Sequence, residues 1–171
     1  MKLRIRDLLV LLVAGLILTA NVMAATPVNN IVKTNPDGSG NINDVYKAVP
    51  MLKDAIVMVN SMLQNNEITF SSPENEIKFN NAHQQMMKGY FLAKQFIATL
   101  GGKTLKGNKD AYLLIDESKN LLWDSYWAFN QMMFLNEIEF VHASGDYKFS
   151  RAHSKERTAL ELIKQYMYGE S

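Results

Sequence analysis

Three histidines, His83, His142 and His153, offer most of this chain's capacity for chemistry. Imidazole ligates metals and haem iron and titrates near neutral pH. The chain contains no cysteine, which excludes thiol catalysis, disulfides and a lipid-modified amino terminus. Glu139-Phe140-Val141-His142 has E-x-x-H spacing, which on a helix puts a carboxylate and an imidazole on one face. Di-iron bundles need two such motifs, yet the positions three before His83 and His153 hold Asn80 and Ser150. His142 would sit in the last turn of a predicted helix, where the dipole favours an imidazole without any metal.

His83 falls on an apolar seam. A haem held between helices would pair it with a second His or with Met86, Met87, Met132 or Met133. No C-x-x-C-H attachment exists, and a lone histidine on an apolar face reads as a hydrogen-bonded core residue. His83, Glu139 and His142 therefore form an alternative metal set for iron, copper or haem, and no cofactor is the primary expectation.

Other catalytic signatures fail on spacing. Gly38-Ser39-Gly40 lies in a linker, whereas a nucleophile elbow needs G-x-S-x-G between a strand and a helix. Gly102-Lys103-Thr104 lacks the upstream glycine of a phosphate loop and follows a helix instead of opening one. Asp116-Glu117 and Glu137/Glu139 are too close in sequence to oppose one another across a cleft. The sequence leans away from an enzyme. With 18 Lys+Arg against 17 Asp+Glu, it lacks the clustered basic excess of a nucleic-acid binder.

The elements that would position these residues are helical. Residues 1–24 combine Lys2, Arg4 and Arg6, an apolar run from Leu8 to Leu18 and a small-residue exit ending at Ala24. That pattern predicts a cleaved signal peptide and a periplasmic or secreted product. The alternative is an uncleaved anchor in the inner membrane. Residues 25–41, with Pro27, Pro36, Gly38 and Gly40, read as a flexible arm.

One helical domain should follow over 42–171, an all-α, up-and-down (antiparallel) four-helix bundle with helices of unequal length. Apolar residues spaced three and four apart predict helices over about 43–65, 73–100, 110–144 and 150–168. Pro50 predicts a kink in the first. Ser72-Pro73 predicts the start of the second and Gly101-Gly102 its stop. Glu67-Ile68-Thr69-Phe70 is too short to predict a strand.

The third helix is apolar on two sides. One stripe carries Ile115, Leu122, Tyr126, Phe129, Met133 and Phe140; another carries Trp123, Trp127, Phe134 and Ile138. A bundle helix should bury one broad stripe. The excess points to an exported, non-enzymatic interaction protein. Trp123, Trp127, Phe134 and Ile138 would meet a protein partner, a second copy in a homodimer, or a hydrophobic ligand. A metal- or haem-binding bundle is the alternative.

Overall fold

Six elements follow one another in the computed structural model, which describes residues 40–169. They are α1 (Ile42–Gln64), β1 (Ile68–Phe70), α2 (Pro73–Leu100), α3 (Lys109–Phe134), β2 (Ile138–Phe140) and α4 (Ala143–Tyr168). The four helices pack into one antiparallel bundle around an apolar core. The expected signal segment and nearly all of the expected arm lie outside the described residues. Among the described residues, no helix is long and apolar enough to cross a membrane.

The second half of the bundle repeats the first at a spacing of seventy residues. Asn66-Glu67-Ile68-Thr69-Phe70 recurs as Asn136-Glu137-Ile138-Glu139-Phe140. Lys78-Phe79 and Ala82-His83 recur as Lys148-Phe149 and Ala152-His153, and Asn60 and Met62 as Asn130 and Met132. Burial follows the same repeat: the pattern over residues 51–70 returns unchanged over 121–140. The chain is thus a tandem α-β-α duplication.

The strand pairing relates the halves by an approximate twofold axis. β1 and β2 run antiparallel, with Ile68 opposite Phe140, Thr69 opposite Glu139 and Phe70 opposite Ile138. The central pair therefore consists of equivalent residues. Two ion pairs obey the same symmetry: Lys78 reaches Glu137 at 2.8 Å, and Lys148 reaches Glu67 at 2.8 Å. Each links α2 or α4 to the turn of the opposite repeat.

Asparagine sets both helix-to-strand turns. Asn66 and Asn136 adopt left-handed φ values of 52° and 53°, a region asparagine enters more readily than most residues. The amides of Glu67 and Glu137 then donate back to Met62 and Met132 at 2.9 and 2.8 Å. This closure satisfies helix-end carbonyls as in a Schellman turn.

These turns correct the expected third helix. It does not run from 110 to 144 but stops at Phe134, and α4 starts at Ala143 instead of residue 150. The helices consequently have similar lengths of 23, 28, 26 and 26 residues. Ile68-Thr69-Phe70, set aside as too short, is a strand because its equivalent supplies a partner. Ile138 and Phe140, which fitted helical stripes, belong to β2. Gly145 ends no helix; it lies in the first turn of α4, where an added Cβ would come within 3.3 Å of the Glu67 carbonyl.

Other helix boundaries match their local chemistry. Ser72 caps α2, Pro73 occupies its first turn, and Gly101 closes it with φ 53°. Asn41 caps α1, its side chain accepting from the Asn43 amide. Pro50 is exposed within an otherwise continuous α1, so the bond it removes lies on the solvent side. α2 and α3 approach closely at Gly89, whose carbonyl accepts from the Ser118 hydroxyl at 2.7 Å. An added Cβ there would stand 2.7 Å from Leu122 Cγ.

Candidate functional site

The duplication supplies an internal control, because each position in one repeat shows what the same fold accepts in the other. Trp123, Trp127 and Phe134 lie on one stripe of α3 at helical spacing. They are 37%, 53% and 85% exposed, and Leu135 beyond them is also exposed. Their equivalents on α1 are Lys53, Val57 and Gln64. The first repeat therefore builds the same bundle with no aromatic side chain at any of these positions.

The stripe forms a local cluster. Trp123 and Trp127 meet edge to face at 5.7 Å between ring centroids, and Tyr126 meets Trp127 edge-on at 6.1 Å. Lys164 of α4 lies over the Trp123 ring at 5.5 Å, favourable to the ring quadrupole. At about 200 Å² per aromatic side chain, the three exposures leave about 350 Å² of apolar surface in solvent. Apolar patches of this size on monomers are often functional. Ile138 leaves the set, because its side chain is buried in β2 against the core.

Both repeats pack a histidine against an asparagine, His83 buried and His153 partly buried. His83 Nε2 meets Asn60 Oδ1 at 2.8 Å, and His153 Nε2 meets Asn130 Oδ1 at 3.0 Å. The asparagine oxygen only accepts, so Nε2 carries the proton in each case. His83 is 4% exposed, and burial lowers its pKa to about 4. It is the hydrogen-bonded core histidine expected from its seam position, although its Nδ1 has no hydrogen-bond partner.

Beside His153 the repeats diverge. Glu156 is fully buried, and its Oε2 lies 3.3 Å from His153 Nδ1. Ser125 faces the same carboxyl from α3 without a well-formed hydrogen bond, and Glu156 Oε1 has no partner. The corresponding residues of the first repeat are Met86 and Ala55. Burial pushes the Glu156 carboxyl above its ordinary pKa, with His153 pulling the other way. Val59, Met86, Phe129, Phe149 and Ala152 surround the pair, leaving a gap too tight for a water molecule. No sequence spacing singled out Glu156; comparing residue 156 with residue 86 does.

The alternative metal set is not brought together as E-x-x-H on a helix. Glu139 is an exposed strand residue and His142 caps α4 from an extended conformation. His83 belongs to the core of α2. Among the described residues, no three His, Asp or Glu side chains converge to hold a metal ion. No family model, curated protein or solved structure matches this chain, so its second repeat is best understood against its first.

Proposed function

We propose that this chain is an exported, non-enzymatic binding protein whose α3 aromatic face receives an amphipathic helix from another protein. The observation carrying this proposal is the replacement of Lys53, Val57 and Gln64 by Trp123, Trp127 and Phe134 at equivalent exposed positions. The first repeat forms the equivalent helix without aromatic side chains at these positions, and tryptophan is enriched at the energetic centres of interfaces. Spacings of four and seven residues along the stripe suit the apolar face of a facing helix. The first 24 residues support export.

The exposed area favours a short partner segment over a second copy. About 350 Å² is less than half of the ~800 Å² that a standard interface takes from each partner. A photocrosslinking amino acid placed at position 127 or at position 57, in the protein's own host, tests the proposal. A discrete adduct with another protein is expected at 127 and not at 57. Phe134→Gln should weaken that contact roughly 30-fold, the equivalent of a ~2 kcal/mol hot spot. Equal adducts at the two positions, or an adduct only with a second copy, would overturn it.

A further inference from the structure

An unbroken run of side-chain contacts joins the buried acid to the aromatic face. From Glu156 Oε2 the path reaches His153 Nδ1 at 3.3 Å. The His153 ring stacks on Tyr126 at 4.6 Å with the planes 12° apart. Tyr126 then meets Trp127, and Trp127 meets Trp123. The equivalent path in the first repeat reads Met86, His83, Ile56, Val57 and Lys53. Only its histidine is shared.

His153 Nε2–H is committed to Asn130 Oδ1, so Nδ1 of a neutral ring can only accept. A hydrogen bond between Nδ1 and Glu156 therefore needs one further proton, carried as a carboxylic acid or as an imidazolium. Remove that proton to solvent and a buried carboxylate faces a nitrogen lone pair across a gap too tight for a water molecule.

The groups around Glu156 do not supply a substitute. α1 presents Val59 and α2 presents Met86. α3 presents Ser125 and Phe129, with the Tyr126 ring against His153. On α4, His153 is the neighbouring titratable group, while Lys155 turns outward to Asp54 at 2.9 Å.

We propose that the Glu156–His153 pair is a proton-operated control on the aromatic face. With one proton between them, the His153 ring is held against Tyr126 and the two tryptophans keep their arrangement. Loss of that proton releases the ring, and Tyr126 and Trp127 shift with it. Burial raises the Glu156 pKa, which moves proton release above the ordinary carboxylate range. The inference rests on the binding role proposed for this face, but testing it requires no partner.

The chain's two tryptophans, Trp123 and Trp127, both lie on the face, so intrinsic fluorescence reports on it directly. Full-length protein, Glu156→Gln and Glu156→Met should be titrated from about pH 5 to about pH 9, with helicity followed by circular dichroism. The unsubstituted chain should show a sigmoidal change in tryptophan emission at constant helicity. Both variants should lose it, and His83→Gln should retain it. Methionine is what the first repeat carries at this position, so Glu156→Met keeps the test available if glutamine disrupts the core. A flat titration of the unsubstituted chain, or the same transition in the variants, would overturn the proposal. Absent crosslinking with an intact titration would remove the binding role alone; a flat titration with intact crosslinking would remove the control alone.

Discussion

Phe149→Ala should cost about 3–5 kcal/mol of unfolding free energy, the range for removing a buried phenylalanine. Phe149 is essentially inaccessible to solvent. Its ring meets Phe129 edge-on at 5.4 Å, Phe140 at 5.6 Å and Phe79 at 5.8 Å. Phe79 is its equivalent in the first repeat, so the two rings meet across the approximate twofold. Phe79→Ala should bring a loss in the same range. The double variant should deviate from additivity, because the two substitutions open one shared space. Urea unfolding followed by circular dichroism measures all three. Losses below about 1 kcal/mol would mean that the core is not joined across the repeats.

Acid should weaken the bundle through His83. The buried ring is held neutral, with its pKa lowered from 6.5 to about 4. Between those values the unfolded chain binds a proton that the native chain refuses. Stability contributed by the neutral ring is therefore present above about pH 6.5 and falls as pH drops toward 4. A shift of this size corresponds to about 3 kcal/mol at its limit. Glu156 acts in the opposite sense: its raised pKa favours the native state at low pH and loses that contribution as pH rises through its folded value. The difference between the parent chain and His83→Gln isolates the histidine contribution. Stability of the variant should depend less steeply on pH between 6.5 and 4, as measured by denaturant unfolding at several pH values. Parallel curves for the two proteins would contradict the buried, neutral His83.

Helix content, the Ser72-Pro73 start, the Gly101 stop and the core seams of α1 and α2 were legible in the sequence because each depends on neighbouring residues. The division of residues 110–168 was not. Neither proline nor glycine marks residues 135–142, and Ile138 and Phe140 fit a helical period as readily as a strand. What separates α3 from α4 is an asparagine in the left-handed region and a strand partner seventy residues away. A comparison of the chain with itself would have found both, since Asn-Glu-Ile-x-Phe and Lys-Phe-x-x-Ala-His recur at one spacing. The aromatic stripe was visible as an excess of apolar surface, and three of its four residues remain on the outside. Glu156 was hidden because a carboxylate on a helix reads as a solvated residue until packing shows where it points.

Exchanging Trp123→Lys, Trp127→Val and Phe134→Gln together gives α3 the residues that α1 already carries, and its unfolding free energy is the most direct test of the central claim. If the aromatic face serves a partner and not the fold, the triple variant should remain within about 1 kcal/mol of the parent, as surface substitutions do. A loss of about 3 kcal/mol or more, the scale of a damaged core, would show that these side chains hold the bundle together and would contradict the account.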